Sequence, residues 1–273
     1  MPADMAALLA DLKAESADLD AMITPLAPEQ YLAPTPAAGW CISDQVSHLA
    51  FFDEAALLAA TDPAQFKIEA AQMMARGAGF PDEVAERHRA TPGPELRDWL
   101  LRARRELVAG FASVDPGARL PWYGPDMSAA SSVTARLMET WAHGQDIADA
   151  LGVTRPPTPR LRHIAHIGVA AMGFSFVLRG RRAPSKPVRV EVGAPDGSTW
   201  MWGPEDAADV VAGPALDFCL VVTQRRHPAD TALTAAGPVA TEWVSIAQAF
   251  AGAPGPGRQP RKAQPRTTEG STP

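Results

Sequence analysis

Three residues of this chain, His48, Glu139 and His143, have side chains that could share one divalent metal ion. Glu139 and His143 are four residues apart in a strongly helical segment, a spacing that puts both side chains on one helix face. His48 lies in a separate helical segment and must approach from another helix. Two imidazoles and one carboxylate leave coordination positions open, which suits a transition metal ion that takes part in chemistry.

The alternative is that the Glu-x-x-x-His pair simply decorates a solvated helix, where such pairs are common. The flanking residues argue against this, because they are mostly apolar: Leu137, Met138, Trp141, Ile147 and Leu151. A helix with this composition is expected to be largely buried, and a buried carboxylate without a partner is costly. The surroundings therefore favour a metal site.

The segment around His48 has the pattern Trp-x-x-x-Asp-x-x-x-His-Leu, formed by Trp40, Asp44, His48 and Leu49, and the Glu-x-x-x-His pair follows far downstream. With these two motifs the chain resembles the DinB-like metal-binding proteins, and among them the mycothiol-dependent maleylpyruvate isomerases. The resemblance is close in the first half of the chain and looser in the second. It implies that His48 and the downstream pair are the metal ligands.

Apolar residues recur at helical spacing in four stretches of the first half. They predict helices over 4–24, 43–60, 95–113 and 128–151, with Ser43 or Asp44 as an N-cap of the second and Gly152 ending the last. The polar, Gly- and Pro-interrupted stretch 61–94 is expected to be one long connection. Four amphipathic helices predict a bundle with its ligands inside. The resemblance implies a DinB-like four-helix bundle over residues 1–153.

The second half changes character after a proline-rich linker at 155–159. We expect a helix over 160–178, a hairpin around Asp196-Gly197, and helices over 214–226 and 238–250. These elements predict a small α+β domain over residues 160–251, which resembles the sterol-carrier-like domain of the same isomerases. The expected fold class is therefore α + (α+β). Residues 252–273 are rich in Pro, Gly, Arg and Thr, and we expect them to be disordered.

The resemblance implies a metal-dependent isomerase or thiol S-transferase with mycothiol as thiol cosubstrate. No protein nucleophile is obvious, and a divalent cation with an open position can hold an external thiol as thiolate. The expected substrate is a small electrophile, acidic by analogy. Zinc is the default metal, and iron, nickel, cobalt or manganese accept the same ligands. Two alternatives stay open: a thiol-independent isomerase, lyase or hydrolase of specialised metabolism, and a non-catalytic metal or small-ligand binding protein.

Five further residues are candidates for supporting roles. Asp44 and Asp146 lie close in sequence to the two histidines, and either could accept the second N–H of an imidazole. A role at the helix N-terminus is the alternative for Asp44. Arg136, Arg225 and Arg226 are candidates for binding an acidic substrate, with a structural ion pair as the alternative.

Composition limits the remaining classes. The chain has 273 residues, 46% of them hydrophobic, which is enough for two cores. Its two cysteines, Cys41 and Cys219, are too few for a disulfide framework and predict a cytoplasmic protein. A net charge of −6 argues against nucleic acid as a partner, and no apolar run is long enough for a membrane span. The preference for Ala, Pro and Arg is consistent with an actinobacterial genome.

Overall fold

The computed structural model describes residues 4–77 and 79–261. Its first half, called here the helical half, contains six α-helices: α1 (Met5–Ile23), α2 (Ile42–Thr61), α3 (Pro63–Met74), α4 (Phe80–His88), α5 (Gly93–Phe111) and α6 (Ala129–Leu151). Helices α1, α2, α5 and α6 pack together, while α3 and α4 lie against α2. A short antiparallel ribbon of β1 (Arg119–Leu120) and β2 (Met127–Ser128) connects α5 to α6.

The four helices predicted from apolar periodicity are all present, with ends within two residues of the predicted ones. Gly152 ends α6 in the left-handed conformation, with φ of 67°, as predicted. The prediction that 61–94 is a connection without helices was wrong, because this stretch forms α3 and α4. Pro63 and Pro81 stand in the first turns of these helices, where a proline fits because its missing N–H would have no intrahelical partner.

The second half, called here the α+β half, is a four-stranded sheet with helices. Its elements are α7 (Leu161–Ala170), α8 (Met172–Val177), β3 (Val188–Gly193), β4 (Thr199–Trp202), β5 (Asp209–Pro214), α9 (Ala215–Val222), β6 (Thr234–Ala236) and α10 (Pro238–Ile246). The strand order is β4-β3-β5-β6, with β3 parallel to β5 and the outer pairs antiparallel. The predicted hairpin of β3 and β4 is present, and Gly197 in its turn has a φ of 84°.

Three expectations for the α+β half need correction. The helix expected over 160–178 is divided into α7 and α8 at Ala171, whose φ and ψ of −83° and 3° leave the helical region. The helix expected from residue 214 starts at Ala215 and ends at Val222, and the helix expected to reach residue 250 ends at Ile246. Strands β5 and β6 were not predicted. The likeness to sterol-carrier domains and the domain boundaries stay predictions.

One hydrophobic cluster runs through both halves, from Leu12 and Trp141 of the helical half to Ile164 and Phe218 of the α+β half. The proline-rich linker is fixed at both ends, because Arg155 and Arg160 bind the buried carboxylate of Glu15 in α1. The two halves therefore share a core. None of the helices within the described residues is both long and apolar enough to span a bilayer.

The segment from residue 252 to residue 261 has no regular secondary structure but does make contacts with the rest of the chain. Arg258 binds Asp146 of α6, and the backbone N–H of Arg261 donates to the carboxylate of Asp230 at 2.9 Å. The expectation of disorder from residue 252 onward did not anticipate these contacts. The remainder of that expectation, over 262–273, lies outside the described residues.

Candidate metal centre

Helices α2 and α6 bring the three predicted ligands together. Nε2 of His143 lies 3.0 Å from Oε2 of Glu139, and Nε2 of His48 lies 3.6 Å from the same oxygen. The rings of His48 and His143 have centroids 4.4 Å apart. One donor atom from each of the three residues lies within 4.8 Å of the others.

A chain of hydrogen bonds determines which nitrogen of His143 carries the proton. The hydroxyl of Thr35 donates to the carbonyl of Trp40 at 2.9 Å, so it accepts at 2.9 Å from the amide nitrogen of Gln45. The other end of that amide, Oε1 of Gln45, contacts Nδ1 of His143 and can only accept. Nδ1 of His143 therefore carries a proton, and Nε2 is the nitrogen that faces Glu139 and could bind a metal ion.

Burial and neighbouring charges set the protonation of the other two groups. Burial, together with the adjacent His143, lowers the pKa of His48 to about 4. Burial alone would raise the pKa of Glu139, but its contacts with His143 and His48 hold that pKa well below the usual value. Near neutral pH His48 is therefore neutral and Glu139 is ionised, which are the forms that bind metal.

The arrangement fits a divalent transition metal ion. With metal–ligand bonds of about 2.1 Å, two ligand atoms in a tetrahedral site are about 3.4 Å apart. The 3.0 Å and 3.6 Å separations from the Glu139 oxygen lie on either side of that value. Nδ1 of His48 is buried without a hydrogen-bond partner among the described residues. Two nitrogens and one oxygen suit zinc, iron, nickel, cobalt or manganese better than calcium or magnesium.

The cluster opens into a cavity of about 450 Å³. His48 and Glu139 form its floor, and aromatic residues form much of its wall: Phe52, Phe80, Trp122, Tyr123 and Phe174. On another side the ring of Trp40 stacks on His143, with centroids 5.9 Å apart, and lies 5.2 Å from His48. The donor atoms therefore face a cavity with largely aromatic walls rather than open solvent.

The structure does not bring either predicted aspartate to an imidazole. Asp44 accepts from the backbone N–H of Cys41 at 2.8 Å and forms an ion pair with Arg89 at 2.9 Å. It stands in the first turn of α2, whose N-cap is Cys41 rather than Ser43 or Asp44. Asp146 is one turn from His143 on α6, but its carboxylate pairs with Arg225 and Arg258 instead of the imidazole.

The three predicted substrate-binding arginines are separated. Arg136 lines the cavity of His48 and Glu139, and its Nε donates to the buried Asp53 at 2.9 Å. Arg225 and Arg226 line a different cavity, of about 550 Å³, at the end of α6. There they pair with aspartates, Arg225 with Asp146 at 3.0 Å and Arg226 with both oxygens of Asp149. Only Arg136 remains placed to meet a ligand of the candidate metal centre.

Gln45 and Thr35 are parts of the site that the sequence analysis missed. A signal was present for Gln45, which stands three residues before His48 and therefore on the same side of α2. Thr35 belongs to the irregular segment before α2, where no periodicity indicates which side chains point towards the site.

Two other histidines and Cys41 have other roles in the structure. His163 binds Asp11 at 2.8 Å, and His166 accepts from the indole N–H of Trp202 at 3.3 Å. Burial raises the pKa of the Cys41 thiol, which makes it a poor nucleophile.

The helical half buries a His/Glu/His cluster beside an apolar cavity and shares its core with the α+β half. These features place the chain in the class of helical proteins with a candidate metal centre. The chain belongs to the family described as the mycothiol maleylpyruvate isomerase N-terminal domain, whose family model matches residues 12–148. A second family model, described as wyosine base formation, matches residues 184–236 in the α+β half.

Two relatives are similar over nearly the whole chain, and two solved structures share its fold. The chain is 49% identical over 257 residues to the uncharacterised proteins Rv0036c and MT0041 from two strains of Mycobacterium tuberculosis, which covers 94% of this chain and 100% of each relative. It is also similar to crystal structures of the mycothiol-dependent maleylpyruvate isomerase. The TM-score is 0.58 at 14% identity, with coverage of 85% of this chain and 93% of the other. A histidine-to-alanine mutant of that enzyme gives a TM-score of 0.59 at 13% identity. At this identity the likeness concerns the fold.

Proposed function

We propose that the chain is a metal-dependent enzyme of the mycothiol-dependent isomerase or S-transferase type. The observation that carries the proposal is the His48, Glu139 and His143 cluster at the floor of a cavity large enough for a small molecule. Family membership supports it, because the related enzyme is named for a thiol cosubstrate. Zinc is the first candidate for the metal.

A divalent ion held by these residues would supply the Lewis acidity that keeps a bound thiol ionised near neutral pH. The chain's own residues prepare the ligands and the space around them. Gln45 keeps the proton of His143 on Nδ1, and Glu139 supplies the negative charge. The rings of Trp40 and Phe52 lie within 5.2 Å of His48 and limit the access of water.

The reaction we propose starts with addition of the mycothiol sulfur to an alkene that is conjugated to a carbonyl group. A C–S bond forms while the alkene electron pair moves to the carbonyl oxygen, so the former double bond can rotate. Reversal expels the thiolate and gives the isomerised alkene, without net oxidation. If the adduct instead takes a proton and is released, the outcome is thiol transfer.

Metal analysis combined with mycothiol assays tests this proposal. We expect the purified protein to contain about one transition metal ion per chain, as in catalytic sites of this ligand type. Both His48→Ala and His143→Ala should lose the ion, while His163→Ala, a histidine paired at the surface, should keep it. Mycothiol should raise the melting temperature of the metal-loaded protein, and the protein should accelerate reaction of mycothiol with an activated alkene.

Other outcomes would lead to other functions. Metal binding without any response to mycothiol would favour a thiol-independent isomerase, lyase or hydrolase. Metal binding without activity towards any alkene or ester would favour a binding protein. Full metal content in both His48→Ala and His143→Ala would move the metal site elsewhere and overturn the proposal.

A further inference from the structure

The cavity above the candidate metal centre has an unusually aromatic wall. The rings of Phe52, Phe80 and Trp122 surround that of Tyr123, with centroid separations from Tyr123 of 5.6, 5.1 and 5.1 Å. Trp122 is held from behind by Phe66, whose ring is stacked on it at 5.8 Å. These rings fix one another in place, so the wall is a preformed apolar surface that can bury a flat group.

Charge is scarce on the same wall. Among the described residues that line the cavity, Arg136 and Glu139 are the only ones with a permanently charged side chain. Burial raises the pKa of Tyr123 to about 12, so its hydroxyl stays protonated and adds no charge. Since Glu139 is a proposed metal ligand, Arg136 is the one cationic side chain that the described lining residues offer to a bound molecule.

One terminal nitrogen of the Arg136 guanidinium group is available to a ligand. Its Nε donates to Asp53 at 2.9 Å, and one terminal nitrogen lies 3.4 Å from the carbonyl oxygen of Leu49. The other terminal nitrogen, Nη1, has no hydrogen bond to any described residue. One guanidinium edge matches one carboxylate, and a second carboxylate would meet aromatic rings and no second cationic side chain among the described lining residues.

From this wall and this single cation we infer that the electrophile is a monocarboxylate with an aromatic or similarly bulky apolar group, rather than a small dicarboxylate. The inference rests on the proposed function only for the electrophilic role of the ligand. The apolar group would lie among Phe80, Trp122 and Tyr123, and the carboxylate would face Arg136. A cavity of about 450 Å³ has room for such a molecule.

Calorimetry with three probes that lack an activated alkene, and therefore cannot add a thiol in this way, tests the inference. Benzoylpropionate carries a phenyl group, a ketone and one carboxylate; levulinate replaces the phenyl group by methyl; succinate has two carboxylates. We expect benzoylpropionate to bind at least tenfold more tightly than levulinate, and succinate to bind no better than levulinate. Equal affinities of the first two, or the tightest binding by succinate, would overturn the inference.

Variants of Trp122 and Arg136 test which residues contact the phenyl group and the carboxylate of the probe. Trp122→Ala should reduce the preference for the phenyl group to less than threefold, while Trp202→Ala on the hairpin of the α+β half should leave it unchanged. Benzoylpropionamide, which lacks the charge, should bind at least tenfold more weakly than the acid to the unmodified protein. This difference should disappear in Arg136→Gln. The acid and amide comparison needs no variant, so it decides the role of the charge even if Arg136→Gln does not fold.

The probes are used without thiol, on the metal-loaded and on the metal-free protein. A protein that binds metal and responds to mycothiol but shows no preference for the phenyl group would contradict this inference alone. A protein that prefers the phenyl group but neither binds metal nor responds to mycothiol would contradict the proposed function alone.

Discussion

At the scale of single residues, Gln45 supports His143, one of the proposed metal ligands. It holds the proton of His143 on Nδ1, and its own orientation depends on Thr35. We expect Gln45→Leu to weaken metal binding by about 10- to 100-fold, as is usual when the partner of a ligating histidine is lost. Competition with a chromophoric chelator would measure the change.

Two further variants separate this role from simple packing. Gln45→Glu keeps an oxygen that accepts from Nδ1 of His143, so it should retain most of the affinity for metal. Thr35→Val removes the hydroxyl that orients the amide and should have a smaller effect than Gln45→Leu. Equal metal affinity in Gln45→Leu and the unmodified protein would show that His143 does not need this partner.

The three candidate ligands could be predicted from the sequence, because Glu139 and His143 fall on one helix face and the motif around His48 resembles a known family. The hydrogen-bond partners of each candidate ligand could not be predicted in this way. Asp44 is four residues before His48, yet it accepts the N–H of Cys41 at the start of α2 and pairs with Arg89. Spacing along a helix predicts which way a side chain points. Its hydrogen-bond partner on another helix depends on how the helices pack, which no local sequence pattern encodes.

At the scale of elements, Asp53 is the buried junction of α2, α5 and α6. Its carboxylate is fully buried and accepts from Arg104 at 2.6 Å and from Arg136 at 2.9 Å. Asp53→Ala would leave two buried guanidinium groups without their counter-charge, so we expect a loss of about 3–5 kcal/mol in the free energy of unfolding. Urea denaturation would measure this loss.

The matched control for this junction is the ion pair of Asp20 in α1 with Arg97 in α5, which is partly exposed to solvent. Asp20→Ala should cost no more than about 1 kcal/mol, because solvent screens such pairs and hydrates the freed arginine. Similar losses in Asp53→Ala and Asp20→Ala would mean that the junction is no more important than a surface pair.

Long elements with clear periodicity could be predicted, and short elements that depend on their neighbours could not. Helices α1, α2, α5 and α6 each have 19 or more residues and show their apolar stripes in the sequence. Helix α3 has 12 residues, and only Phe66 and Ala70 of them are buried. Strand β6 has three residues, and its pairing with β5 rather than any pattern of its own defines it.

At the scale of the whole molecule, the cavity above the candidate metal centre is completed by the α+β half and the segment that follows it. Phe174 of α8 and residues 251–253 contribute to its wall. Arg226 holds Asp149 of α6 through both oxygens, and Arg225 pairs with Asp146. Arg225 and Arg226, two of the candidates for substrate binding, therefore connect the two halves.

Arg258 connects the end of the segment 251–257 to α6, and residues 251–253 of this segment line the cavity. It binds Asp146, which is one turn after His143 on α6, while residues 251–257 have no regular secondary structure of their own. Arg258→Ala should therefore speed hydrogen exchange in residues 251–257 and weaken the binding of benzoylpropionate several-fold, with unchanged affinity for metal. Arg181→Ala, which removes an exposed ion pair with Glu242, should change neither property. Unchanged exchange in residues 251–257 of Arg258→Ala would mean that their other contacts hold the wall without this anchor.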